Sequence, residues 1–521
     1  MSTTAIERHV LRTAAFVPAL LLTGSMGLLF ARLRPDVGGK PFHEDEAVAG
    51  LISARPLGDL LHTVVLDRGG APLHFLLAHV ALAFDPTPEM LRWVSVVFAL
   101  ATVPLCYDLA RRLAGQSAGL VAAILTATSQ LLLIYGTFGR MYSLFAFTSA
   151  LAADLFVRAL ERPRRRTALA ATAAALLPLT VHPFGAFLFA AEAAVALWLW
   201  RGRDLRAALP VAGLGLLALP LVLVDLRLSD RYAPEAGQNL DSGMSTGAAT
   251  VHALGGAAGG TGAALVVFAI LAAAGVLTLA RRRSAIAVFI GLTLAVPPCL
   301  LALASATDVA SDRLAPRHLI FMLPLWIGLV ATGATAVGAR FPWQGRTALL
   351  AAVVVAAAFA PSAVSEPRTI PTGAPEVVAA PAAWLATALA PGDVLYPYSP
   401  VFLAALPEAK QARAYAREPV ALARAAARTG VVPSVFVSIP LQGPVELDAL
   451  QNEGAISVHL FPSWLIAESR GPFADGRAAL QATAALLQAI SPLVVDAGAQ
   501  PYVEQLRGTA CAALGSLGSS C

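Results

Sequence analysis

Apolar runs long enough to cross a bilayer recur along most of this chain, and short arginine clusters separate them. A membrane helix needs about 20 predominantly apolar residues. Runs of that order stand at 13–31, 92–110, 113–134, 141–160, 167–181, 183–200, 206–226, 262–280, 284–306, 315–338 and 346–361. In hydrocarbon every backbone N–H and C=O must find a partner within the protein, so such a chain folds as a helical bundle. Composition agrees: 57% of residues are hydrophobic, 13% are charged, and the mean hydropathy is +0.70. The net charge of +5 sits in short clusters between spans. No basic domain is formed, which argues against a nucleic-acid partner.

The charge pattern sets an expected topology. Connections rich in arginine fall at Arg111-Arg112, Arg162 to Arg166, Arg201 to Arg206, Arg281 to Arg283 and Arg340 to Arg346, and such loops stay in the cytoplasm. Every second connection is basic if residues 71–84 ("APLHFLLAHVALAF") do not cross, and at about fourteen residues they suit an interfacial helix. Arg8, His9 and Arg12 precede the first run, and with no small-residue cleavage site after it this run reads as an uncleaved first span. The N-terminus is then cytoplasmic. The outer connections are 32–91, 135–142, the surroundings of His182, 227–261, 307–314 and everything after 362. The expected location is a bacterial inner membrane, crossed roughly eleven times.

After Pro361 the pattern changes. A Pro-rich linker, 362–375, leads into 376–521, where "DVLYPYS", "VVPSVFVSI" and "AISVHLF" read as strands between helical stretches near 375–390, 408–428 and 475–490. The expected organisation is a membrane module, 1–361, carrying the external loop 32–91, and an external α/β domain. Cys511 and Cys521 lie in that external tail, where a disulfide can persist.

The polar residues gather on the outer side. Glu44, Asp45 and Glu46 stand together in the first external loop, opening an amphipathic stretch ("DEAVAGLISARPLGDLLHTVVLD") suited to the membrane surface. A carboxylate there can meet a lipid-borne and a water-borne substrate. "YGTFGRMYSLFAF" places Arg140 and Tyr142 where one span ends outside and the next begins. They can anchor the helix at the interface, or Arg140 can offer its fork of donors to a phosphate or sugar. "VHPFGAF" adds His182, and "TDVASDRLAPRHLIFMLP" adds Asp308, Asp312, Arg313, Arg317 and His318 at an outer helix mouth suited to a lipid phosphate. Glu192, in "FAAEAAVAL", lies deep in a span, where an ionisable group normally faces a bundle interior. Its partner is not evident from sequence.

In this order the segments resemble the GT-C membrane glycosyltransferases, in the branch of the protein O-mannosyltransferases and the aminoarabinose transferase of lipid A. The resemblance covers about residues 10 to 340 and rests on Asp45-Glu46, "GGAPLHFLL", "LRWVSVVFALATVPLCYDLARRLAG", "YGTFGRMYSLFAF", "VHPFGAF" and "APRHLIFMLPLW". It implies the GT-C fold and an inverting transfer of a hexosyl or pentosyl group from a polyprenyl-phosphate sugar to a protein, lipid or glycan acceptor. Asp45 matches the family's catalytic carboxylate and Glu46 its acidic neighbour, while Arg140 and Arg317 are the expected phosphate contacts. The chain departs from the family where relatives often carry a Lys or His before a Pro-Pro pair; here "DRGGAPLH" stands, flanked by Arg68 and His74.

Two adjacent carboxylates also suit Mg²⁺ or Mn²⁺, with Glu46 as the candidate ligand. No His/Cys spacing for zinc is present. The competing reading is a lipid or polysaccharide transporter or flippase without transferase activity. Such folds carry internal repeats and mid-membrane charges, whereas here the polar clusters sit mainly at the outer surface.

Overall fold

The computed structural model describes residues 3–39, 44–67, 71–200, 254–255, 263–306, 316–345, 353, 375–397, 402, 419–428, 430–441, 445, 456–462 and 464–521. The chain divides into two compact units: Met1–Gly38 with Ile52–Ser365, and Gly39–Leu51 with Glu366–Cys521.

The first unit is helical throughout its described part. Its helices are α1 (Thr3–Gly39), α3 (Leu57–His62), α4 (Leu73–Phe84), α5 (Pro88–Ala114), α6 (Gln116–Ala127), α7 (Gln130–Tyr135), α8 (Tyr142–Glu161), α9 (Arg165–Val181), α10 (Gly185–Trp200), α11 (Ala263–Arg282), α12 (Ser284–Ala306) and α13 (Leu323–Gly338). Helix α2 (Glu44–Ser53) is shared, its residues through Leu51 belonging to the second unit. Among the described residues, five segments are long and apolar enough to cross a membrane: 89–114, 142–161, 264–282, 284–303 and 316–338. Apolar side chains such as Val266, Ile270, Leu277 and Leu303 point outward from these helices, as lipid-facing positions do.

The expected span 113–134 is instead two helices, α6 and α7, broken at Thr128-Ser129. The Thr128 and Ser129 backbone N–H groups bond back to Ile124 and Thr126, closing the helix early, and Ser129 is extended before α7. The expected spans 206–226 and most of 346–361 lie outside the described residues. Residues 73–84 form the short helix α4.

Helices α11 and α13 pass at close range because glycine faces the partner backbone on each. A Cβ on Gly333 would collide with the Leu271 carbonyl oxygen, and one on Gly275 with that of Leu329. Without a hydrophobic drive between helices in lipid, small residues that admit such backbone contact supply the packing. Where α5, α8 and the α11–α12 turn meet, arginines pair with carboxylates. Arg112 reaches Asp108 at 3.0 Å, Asp154 at 3.1 Å and Glu161 at 3.3 Å, and Arg283 reaches Glu161 at 2.6 Å.

The second unit holds a four-stranded sheet in the order β1-β2-β4-β3, from β1 (Val394–Tyr396), β2 (Val432–Pro440), β3 (Ile456–Phe461) and β4 (Trp464–Phe473). The β1–β2 pair is parallel and the other pairs are antiparallel. Its helices are α14 (Pro375–Ala388), α15 (Pro419–Arg428), α16 (Gly476–Ile490) and α17 (Gln500–Ser516). Alternate strand residues face opposite ways, and both directions are apolar. Val394, Val435, Val437, Ile439, Leu465 and Ala467 join α15, α16 and α17 in one core, while Leu395, Phe436, Trp464 and Ile466 join α14 and α2 in another. Covered on both faces, β1 and the Val435–Val437 stretch of β2 read as continuous apolar runs rather than alternating ones.

The linker 362–374 and the helical stretch expected over 408–418 lie outside the described residues. Strand β4 and helix α17 are additions to the expected α/β pattern. Cys511 and Cys521 form a disulfide that ties α17 to the end of the chain.

Candidate functional site

In the first unit, the cationic residues singled out in the sequence converge. Helix α9 ends at His182, whose extended backbone turns the chain into α10 after its N–H bonds Pro178 at 2.9 Å. The Phe184 N–H donates to Nδ1 of His182 at 3.2 Å. A nitrogen that accepts carries no proton, so the ring is the neutral tautomer with hydrogen on Nε2. Phe145 stacks on His182 with ring centroids 5.0 Å apart, and the ring of His318 lies 5.6 Å away. His318 also meets Phe184 edge-on at 5.4 Å.

Electrostatics ties this group together. Burial first, then the positive fields of His318, Arg140 and Arg317, hold His182 well below the ordinary imidazole range. His74 on α4 is fully buried, and burial followed by the charge of Arg140 lowers it to about 3, partly offset by the Gly139 backbone. Neither ring nitrogen of His74 makes a hydrogen bond of normal geometry. Arg140 therefore acts on both histidines, and its own side chain is half-buried, as are those of Arg317 and His318.

The loop carrying Arg140 is pinned from below. Ser95 of α5, 2% exposed, donates to the Phe138 carbonyl at 2.6 Å and to that of Arg140 at 3.3 Å, and Ser143 donates to the Tyr135 carbonyl at 2.8 Å. These two serines hold the backbone of the loop that carries Arg140, and nothing in the sequence marked them out. The Tyr142 ring is buried, 4.9 Å from Tyr135 and 6.0 Å from Phe138, so an aromatic cluster seats it at the start of α8. Arg68, Asp308, Asp312 and Arg313 lie outside the described residues.

The carboxylates belong to the other unit. Asp45 and Glu46 open α2 in the part grouped with the C-terminal unit. Asp45 is half-buried, whereas Glu46 is only 1% exposed. Neighbouring positions on a helix point about 100° apart, and Asp45 is the more exposed of the pair. Among the described residues no three His, Cys, Asp or Glu side chains converge as a metal-binding set. Deep in α10, Glu192 is 5% exposed and its Oε1 has no hydrogen-bond partner.

Two solved structures share this architecture. ArnT from Cupriavidus metallidurans, bound to undecaprenyl phosphate, superposes with a TM-score of 0.57 at 13% identity, covering 86% of this chain and 97% of that one. The chain has the GT-C fold. The archaeal oligosaccharyltransferase AglB from Archaeoglobus fulgidus, in complex with an inhibitory peptide and a dolichol-phosphate, matches with a TM-score of 0.54 at 11% identity, over 82% of this chain and 70% of that one. Residues 70–226 of this GT-C chain match the family described as dolichyl-phosphate-mannose-protein mannosyltransferase. That segment contains His74, Arg140, Tyr142 and His182; Asp45, Glu46, Arg317 and His318 lie outside it. No curated protein matches the GT-C chain in sequence. The family resemblance read from the sequence is thus met by both a family match and a shared fold.

Proposed function

We propose that this protein transfers a sugar from a polyprenyl-phosphate donor to an acceptor on the outer face of the membrane. The observation that carries the reading is the gathering of Arg140, Arg317 and two neutral histidines at helix ends of a GT-C fold. A leaving phosphate needs such donors, and in a partly dehydrated site they count for more than in water. Arg140 and Arg317 offer forked donors to the phosphate oxygens. His182, neutral with hydrogen on Nε2, adds a donor without adding charge.

Asp45 is the general base. The acceptor hydroxyl oxygen attacks the anomeric carbon as its proton passes to the Asp45 carboxylate, and the bond from that carbon to the phosphate oxygen breaks with its electron pair. One displacement inverts the anomeric centre, with no covalent sugar intermediate. Glu46, buried beside Asp45, shapes the position of the helix and its field. The two carboxylates alone make an incomplete ligand set for Mg²⁺ or Mn²⁺.

The experiment is sugar release by the purified protein from a panel of radiolabelled polyprenyl-phosphate sugars. Turnover of at least one donor, weakened about 10-fold or more in donor KM by Arg317→Ala, is the expected result. Lipid bound with no turnover from any donor, and radiolabelled lipid moved across vesicles instead, would turn the reading to a transporter.

A further inference from the structure

Helix α2 has ten residues. A free helix that short is marginal in water, so its direction is set by what it packs against. Its Ala47 is fully buried in a cluster with Ala382, Leu385, Leu389, Leu395, Phe436 and Trp464, and Leu51 packs on the same cluster. Positions four apart share one helix face, so Ala47 and Leu51 form a docking stripe. Asp45 lies about 160° around the helix from Ala47 and is itself half-exposed, although Val48 and Ala49 on its flank are buried.

The sheet accounts for this seat. Four strands at about 4.8 Å spacing make a face roughly 19 Å wide, and one helix about 10 Å wide cannot cover it. The face toward Val435 and Val437 has α15, α16 and α17. The face toward Leu395, Phe436 and Ile466 has α14, and α2 completes the cover although some 330 residues separate it from α14 in sequence.

We infer that the C-terminal unit is the seat that aims the Asp45 carboxylate, with Ala47 as its positioning residue. This rests on Asp45 being the base. The C-terminal unit then acts on the chemical step rather than on donor binding. A wide side chain at position 47 lifts α2 from the sheet and turns the carboxylate away from the acceptor, while the cationic cluster that holds the lipid phosphate is untouched.

The test uses the full-length protein in detergent. In a Cys299→Ser background, because Cys299 is exposed, Ala47→Cys reports docking through its reaction with a bulky maleimide. The expected result is a protected thiol that becomes reactive when Phe436→Ala is added. In parallel, Ala47→Trp lowers kcat at least 10-fold with donor KM within 2-fold of the parent, and Ala47→Gly retains the parent kcat. Ala47→Trp loads the seat from the α2 side and leaves the side chains of the sheet and of α14 intact, which separates a lost seat from a misfolded sheet. A thiol that reacts freely in the folded parent overturns the inference, and so does an Ala47→Trp protein with unchanged kcat. A parent with no turnover but a protected thiol supports the seat and removes the transferase reading instead.

Discussion

The backbone N–H of Phe184 donates to Nδ1 of His182 at 3.2 Å, which fixes the imidazole as the Nε2–H tautomer inside a ring of positive groups. In the proposed transfer a neutral donor there would bond a phosphate without repelling Arg140 or Arg317. His182→Ala should raise donor KM roughly 10- to 100-fold, the scale of a lost hydrogen bond to a charged group. His182→Gln, which keeps an N–H near the Nε2 position, should lose less. Equal loss in both variants, measured in the sugar-release assay, would remove His182 from donor binding.

His74 gives the fold a sign-defined pH dependence. Its folded value is lowered from 6.5 to about 3. The unfolded chain therefore takes up a proton below pH 6.5 that the folded chain refuses. Stability is complete above that pH and declines as pH falls toward 3, by about 2 kcal/mol at pH 5. His74→Phe should flatten the fall in Tm between pH 6.5 and 5; an unchanged slope would place the acid sensitivity elsewhere.

The α11–α13 crossing depends on missing side chains. Gly333→Ala puts a methyl group against the Leu271 carbonyl and should cost about 1–3 kcal/mol. The readout is thermal unfolding in detergent. Gly291→Ala is the control, because a Cβ there meets nothing within 4 Å, and equal losses would contradict the close-approach argument.

Arg112 serves three carboxylates, and the Asp154 side chain is 1% exposed. Arg112→Ala removes one of the two arginines that pair the buried Asp154, the other being Arg158 at 2.7 Å, and should cost about 1.5–3 kcal/mol, the scale of a lost hydrogen bond to a charged group. The double variant Arg112→Met with Asp154→Leu should recover much of this loss in Tm. If the double variant is worse than Arg112→Ala, the ion pairs are stabilising beyond mutual compensation.

Much of the architecture was legible because its signals are local. Span-length apolar runs, arginine-bearing turns, and β-branched stretches such as "VVPSVFVSI" report their own conformations. Strand β4 was not legible: "WLIAESRGPF" ends in charge, Gly and Pro, and its buried residues point to both faces. The break at Thr128-Ser129 was hidden inside a continuous apolar run, since only two hydroxyl residues mark it. At the site, Arg140, His182, Arg317 and His318 were visible as polar residues at span ends. Ser95, which pins the Arg140 loop from 43 residues away, was not, nor was the pairing of α2 with α14. Long-range contact of this kind leaves no periodicity in a sequence.

The most direct test of the account is Asp45→Asn in the sugar-release assay, with polyprenyl-phosphate binding measured on the same preparation. The account predicts loss of turnover by at least 100-fold, lipid affinity within 2-fold of the parent, and an unchanged Tm. Retained turnover in a folded, lipid-binding Asp45→Asn protein would contradict it, because the acceptor proton would then have gone elsewhere.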